Sequence, residues 1–252
     1  MALPSRFVWW LNDWLFPRCV SRLNDWFVQP GGGDARPPFL DVETVYPSLR
    51  RLEASFADIR AEALALMDGI DAIPAYDELD PAQHCVASVT PGLWRVYYLR
   101  AMGRRAEPNS TRCPRTTAAL DAVPGLFQAQ FSILDPGKTV PVHCGPYGGY
   151  LRYHLALVVP EVDPPRLRVA DEVRAWSTGE GLLFDDTMEH EVLNTSTEHR
   201  VVLIVDVLRP MPLPQHLVNL ALFPVIRRFY GRPVIERARR YAERPSPGDR
   251  AA

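Results

Sequence analysis

The chain has 252 residues, 47% hydrophobic and 23% charged, with a formal net charge of −2. That length buries a full core, most simply as one domain with extensions, and the composition is that of an ordinary soluble globular protein. The charge gives no reason to expect a nucleic-acid partner, and 25 prolines argue for many strand ends rather than a helical bundle.

Residues 1–38 read as an aromatic-rich arm and linker. Phe7, Trp9, Trp10, Trp14, Phe16, Trp26 and Phe27 crowd this stretch, and Leu-Asn-Asp-Trp occurs at both Leu11–Trp14 and Leu23–Trp26. A transmembrane span needs roughly 20 predominantly apolar residues, and Asp13, Pro17, Arg18, Arg22 and Asp25 interrupt this one. No small-residue cleavage site follows a clean apolar run, so the stretch does not read as a signal peptide. Two readings remain: an arm packed on the main domain or a partner chain, or an interfacial anchor making peripheral membrane contact. Gln29-Pro30-Gly31-Gly32-Gly33 through Pro37-Pro38 is linker by composition. Cys19, Cys85, Cys113 and Cys144 form no CxxC or zinc-knuckle spacing, and scattered thiols without a leader suggest a cytoplasmic protein.

Residues 39–212 read as the main domain. Pro47 opens a helix whose Leu49, Leu52, Phe56, Ile59, Ala63 and Leu66 mark one buried stripe, closed near Gly69. Leu93 to Ala101 alternates as a strand, with Trp94, Val96 and Tyr98 on one face. A short helix from Pro114 ends at Pro124-Gly125. Strands are then expected at Leu126–Leu134, Thr139–His143, Leu151–Val159, Leu167–Val169, Glu172–Trp176, Gly181–Phe184, His190–Asn194 and Arg200–Leu208. Many short strands divided by Pro/Gly turns predict a mainly β fold with flanking helices, best matched by a double-stranded β-helix of jelly-roll or cupin type. Residues 213–252 read as a basic tail in which turns alternate with helix. Its Arg227, Arg228, Arg232, Arg237, Arg239 and Arg240 form a solvated face, or a basic surface for anionic lipid or a partner.

The chemistry concentrates between Phe131 and Pro210. His143 ends an apolar run, His190 follows a turn, and Arg200 opens Val201–Val207, a run apolar enough to be a buried strand. Imidazoles suit Fe(II), and a cation on a late strand can hold a dicarboxylate. A charged head at the start of such a run would be costly inside a barrel without an anionic partner.

Several words here occur in the order found in one known family. They are Phe131-Ser132-Ile133-Leu134-Asp135-Pro136-Gly137, His143-Cys144-Gly145-Pro146, and Leu151-Arg152-Tyr153-His154-Leu155. After them come Phe184-Asp185-Asp186, Glu189-His190-Glu191-Val192 and Val205-Asp206-Val207 with Arg209-Pro210. The stretch resembles the aspartyl/asparaginyl β-hydroxylase family, whose relatives include bacterial lipid A acyl-chain hydroxylases. The resemblance implies the double-stranded β-helix fold and an Fe(II)/2-oxoglutarate-dependent dioxygenase. It implies His143 and His190 as metal ligands, with Arg200, Ser132 and His154 on 2-oxoglutarate and Trp94 as a pocket wall. Arg152 matches an arginine lying towards the substrate.

Two departures from the family pattern matter. Where a carboxylate ligand would stand, two positions after the first His, this chain has Gly145, as the aspartyl hydroxylases do and the lipid A hydroxylases do not. Iron is then expected on two histidines, with 2-oxoglutarate and water completing its sphere. Where the aspartyl hydroxylases carry a second arginine, two residues before Arg152, this chain has Tyr150, which weakens the case for a peptidyl Asp/Asn substrate. The expected reaction consumes O2 and hydroxylates a C–H bond, either the β-carbon of an Asp/Asn-type residue or amino acid, or a lipid acyl chain or carrier-bound small molecule. A non-catalytic β-helix binding module is the alternative from another class, and a halogenase would rest on Gly145 alone. Asp185, Asp186 and Glu189 read as structural residues beside the second histidine.

Overall fold

The computed structural model describes residues 16–243. Phe7, Trp9, Trp10 and Trp14 of the arm, and the stretch from Arg244 onward, lie outside the described residues. The described part of the arm is helix α1 (Phe16–Val28), followed by two 3-10 turns, Gln29–Gly31 and Gly33–Ala35, in the glycine-rich linker. Phe27 is buried, edge-on to Tyr147 at 5.8 Å, and Asn24 hydrogen-bonds Gly148 N and Pro146 O. This end of the arm packs on the main domain.

Pro47 begins a 3-10 turn that runs through Arg50–Ala54 into α2 (Phe56–Met67). Leu49, Leu52, Ile59 and Ala63 are buried in the expected stripe. The short helix after Cys113 is α3 (Pro114–Asp121). Eleven strands are present, nine of them close to the sequence reading: β1 (Phe39–Leu40), β2 (Trp94–Ala101), β3 (Arg104–Arg105), β4 (Leu126–Leu134), β5 (Val140–His143) and β6 (Tyr150–Val158). After them come β7 (Arg166–Val169), β8 (Glu172–Ala175), β9 (Gly181–Phe184), β10 (His190–Leu193) and β11 (Arg200–Leu208). The two-residue strands β1 and β3 were not expected, because two residues carry no readable alternation.

The strands form two antiparallel sheets, one ordered β1-β9-β6-β11-β4-β2-β3 and the other β5-β10-β7-β8. Together they make the double-stranded β-helix. Strand β11, central in the large sheet, is buried on both faces. Its Val201, Leu203, Val205 and Val207 join Leu52, Ile59 and Leu120 in an outer apolar layer under the helices. Its Val202 and Ile204 join Val96, Leu134, Ala156, Leu167, Val169 and Phe184 in a second layer. The period-2 pleat therefore assigns alternate residues of β4, β6 and β11 to the helices or to the barrel interior. Ser132, His154 and Arg200 fall on the interior side.

The tail differs from expectation. Instead of turns alternating with helix, α4 (Leu213–Ile226) passes through a π-turn at Arg227–Gly231 directly into α5 (Arg232–Ala242). Pro224 lies inside the helix and does not end it.

Asp185, just past β9, ties three segments together. Arg36 of the linker donates to its Oδ2 at 2.7 Å, Arg209 beyond β11 reaches its Oδ1 at 2.8 Å, and Thr187 Oγ1 donates at 2.6 Å. Burial would raise its pKa, but the bonds from Arg209, Thr187 and Arg36 outweigh it and hold the carboxyl at about 2, below the ordinary 3.8. A depressed folded-state pKa contributes stability above the ordinary value, and that contribution is lost as pH falls through the folded one. Asp185→Asn leaves two buried guanidinium groups without their carboxylate, a change of about 3–5 kcal/mol. Thermal unfolding at pH 7 should show this deficit, and the gap to wild type should shrink as pH falls from 4 towards 2. A gap constant across that window would remove the ion-pair account.

Candidate active site

The antiparallel register sets His190 of β10 directly opposite His143 of β5. Their rings lie 4.1 Å apart, centroid to centroid. The Nδ1 of His143 is 2.8 Å from Pro141 O, and that of His190 is 2.9 Å from Met188 O. A carbonyl oxygen only accepts, so both Nδ1 atoms carry the proton and both Nε2 atoms keep a free lone pair. Burial lowers both pKa values, that of His190 to about 3 with help from His143. Two neutral imidazoles with fixed tautomers are what a divalent transition metal requires. Among the described residues, no group of three or more His, Cys, Asp and Glu side chains is arranged to hold a metal.

From this pair a file of rings leads into the barrel. Phe184 stands 5.8 Å from His190, His154 stands 4.9 Å from Phe184, and Trp176 stacks at 5.9 Å on His154. The guanidinium of Arg200 lies 4.8 Å over the Trp176 ring. At the far end of this file the polar atoms have no partners. Arg200 is 1% exposed, yet its Nε and Nη1 have no hydrogen-bond partner, nor do both nitrogens of His154 or the Trp176 indole N–H. Burial lowers Arg200 to about 9, still cationic at neutral pH, and drives His154 well below its ordinary value. Buried polar groups are normally satisfied, so this cluster holds buried donors that could serve an anion accepting several hydrogen bonds.

Ser132 lies opposite Val202 of β11 and Val96 of β2 and is fully buried. Trp94 Nε1 donates to its Oγ at 2.9 Å. Trp94 thus reaches the pocket through Ser132, leaving the serine O–H to donate elsewhere. The sequence missed Trp176, since a tryptophan ending an otherwise exposed strand carries no signal of its inward turn.

Arg152 and Tyr150 lie in a second polar group beside the histidines. Arg152 faces Asp206 across the β6–β11 ladder and binds it bidentately at 2.8 and 2.9 Å, while its third nitrogen approaches Asp186 at 3.1 Å. Tyr150 OH donates to Asp186 Oδ2 at 2.9 Å, and Asp186 Oδ1 has no partner. Burial raises Asp186 to about 6 despite the pull of Arg152. Asp185 behaves as expected, closing its turn onto Thr187. Asp186 is part of this buried network rather than a turn cap. Glu189 is exposed, on the side opposite His190.

Gly145 is explained by this network. A Cβ at that position would lie 2.5 Å from the Asp186 carboxyl carbon. The space a side chain at 145 would need is thus already filled by the Asp186 carboxyl. Gly145→Ala should destabilise by about 1–3 kcal/mol through overpacking, and Gly145→Asp by more, because two carboxylates would share one buried volume. Denaturant unfolding of both variants checks this. A Gly145→Asp protein of wild-type stability would show that the Asp186 carboxyl does not occupy that space.

Residues 53–210 match the family profile described as aspartyl/asparaginyl beta-hydroxylase. The chain is 38% identical over 187 residues to an ornithine lipid ester-linked acyl 2-hydroxylase of Rhizobium tropici, a match covering 74% of this chain and 66% of that one. It is 34% identical over 190 residues to the aspartyl/asparaginyl beta-hydroxylase of Homo sapiens, covering 73% of this chain and 24% of the human protein. The chain thus spans just under two thirds of the first relative and a quarter of the second. A solved Cupin 2 conserved barrel domain protein from Salinispora arenicola aligns with 51% of this chain and 83% of its own, at 12% identity and a TM-score of 0.32. By the extent of its profile match, the chain belongs to the aspartyl/asparaginyl β-hydroxylase family.

Proposed function

We propose that this chain is an Fe(II)- and 2-oxoglutarate-dependent hydroxylase, with His143 and His190 as the metal ligands. The observation that carries the reading is the buried, unpartnered guanidinium of Arg200, sharing one pocket with unpartnered His154 and Trp176. A dicarboxylate supplies the anion this pocket lacks, and the planar fork of arginine matches a carboxylate bidentately. Ser132, already accepting from Trp94, has its O–H to add. Iron(II) with 2-oxoglutarate and O2 supplies the oxidising power, giving a hydroxylated carbon, succinate and CO2. The protein's share is positional. The carbonyls of Pro141 and Met188 orient the two imidazoles, Arg200 fixes the far end of the co-substrate, and the ring file from Phe184 to Trp176 keeps water from the space between.

The substrate reading turns on Arg152. Asp206 and Asp186 already neutralise it, and Tyr150 replaces a second cation. A site built this way offers little to an anionic side chain. We therefore infer an acyl chain, of the kind named for the Rhizobium relative, in preference to an aspartyl residue.

Arg200 separates co-substrate binding from metal binding. Charged hydrogen bonds are worth roughly 1.5–3 kcal/mol each, so Arg200→Ala should weaken 2-oxoglutarate binding by about ten- to a hundredfold or more. Arg200→Lys keeps the charge without the fork and should recover only part of the loss. Iron affinity measured without co-substrate should stay near wild type in both, whereas His143→Ala and His190→Ala should each lose it. Calorimetric titration of the two ligands decides the matter. Unchanged 2-oxoglutarate affinity in Arg200→Ala would take Arg200 out of the site.

A further inference from the structure

Helix α4 is built inside out. None of its 14 residues is charged, and five of its large apolar side chains, Leu213, Leu217, Val218, Leu220 and Val225, are exposed. Leu213 is 68% exposed, Leu217 55% and Val225 52%, and Phe229 in the following π-turn is 76% exposed. Its amide Asn219, by contrast, is 1% exposed. A surface helix of a soluble domain has the opposite arrangement, and a contiguous apolar surface of this kind marks an interaction site.

The dimensions and the charge say what covers it. The uncharged run ends at Arg227, so at 1.5 Å per residue it extends about 21 Å, short of the roughly 30 Å of a bilayer core, before the helix continues with arginines. No described helix is long and apolar enough to cross a membrane. Arg227 and Arg228 follow immediately, both exposed and neither with a carboxylate partner among the described residues. Residues 213–243 carry six arginines against Glu236 and Glu243, although the whole chain is formally −2. Apolar side chains beside unpaired arginines match an anionic lipid surface, which supplies acyl chains and negative headgroups together. A second copy docked face to face would bury the leucines but bring the same arginines towards one another.

The helix is also fastened to the site. Asn219 Nδ2 donates to Gly149 O at 2.7 Å and its Oδ1 accepts from Tyr147 OH at 2.5 Å, while Phe223 packs edge-on to Phe127 at 5.2 Å. Gly149 is bare where a Cβ would fall 2.5 Å from that Oδ1. The loop so gripped is the one joining His143 to Tyr150.

We propose that α4 with Arg227 and Arg228 is an interfacial anchor that seats the chain on an anionic membrane, lying in the headgroup layer rather than spanning it. The anchor stands on surface chemistry alone; only its purpose, presenting the site to acyl chains, rests on the function proposed above.

The test is flotation of the full chain with phosphatidylcholine vesicles, with and without 30 mol% phosphatidylglycerol, about a physiological anionic content. Wild type should float with the anionic vesicles and be released by high salt. Leu217→Ser/Val225→Ser/Phe229→Ser and Arg227→Glu/Arg228→Glu should each bind at least tenfold more weakly, with unchanged circular dichroism and 2-oxoglutarate affinity. His143→Ala should float like wild type, so failure of the catalytic reading leaves this result untouched. Wild type that stays off both vesicles, or a triple variant that binds as well as wild type, overturns the anchor. So does a dimer in sedimentation velocity that the triple variant dissolves, which assigns the face to a second copy.

Discussion

A guanidinium without a counter-ion, sealed inside a β-barrel, is the constraint on which the interior depends. Removing a charge from water costs several kcal/mol per ion unless it is paired. Burial lowers Arg200 to about 9 without discharging it at neutral pH. The fold tolerates this because β11 is fixed between β4 and β6 along its whole length, so Arg200 cannot withdraw to solvent without breaking a central strand. The cost is met when an anion arrives. The same strand thus supplies the core of the fold and an unpaired buried charge.

The other buried arginines show how differently this chain treats a structural cation. Arg209 and Arg36 share Asp185, and Arg152 is held by Asp206 and Asp186. Each of these guanidinium groups has its carboxylate in place, in a geometry that the strand register or a tight turn enforces. Arg200 alone among these four lacks one. The contrast separates a cation that holds segments together from one that waits for a ligand, and it does so by geometry rather than by exposure.

Much of the fold was legible in the sequence, because alternation, proline and glycine mark strand ends independently of tertiary context. The long strands β4, β6, β9 and β11 lie at or within a residue of where those signals put them. Strands β1 and β3 were not legible, since they exist only through pairing with a neighbour. The tail was expected to alternate turns with helix, whereas helix runs on through a π-turn with Pro224 inside it. In the site, Arg200 was readable as a charge at the head of an apolar run, while the two histidines stood out mainly through the family words around them. The bond from Trp94 to Ser132, the inward turn of Trp176 and the link from Tyr150 to Asp186 all join residues distant in the chain. No local pattern encodes such pairs.

The Asp186 network ties the pairing of Arg152 to the absence of a side chain at 145. Its carboxyl fills the volume a residue there would need, and in doing so it reaches Tyr150 and Arg152. Replacing an arginine with Tyr150 removes one positive charge, and pairing Arg152 with two carboxylates cancels another. The turn that follows His143 and the Arg152 network are therefore not independent of each other. A side chain at 145 would crowd Asp186 and disturb its bonds to Tyr150 and Arg152, while Asp206 would keep its two bonds to the guanidinium. One carboxylate thus links the bare position two residues after His143 to the pairing of the guanidinium between β6 and β11.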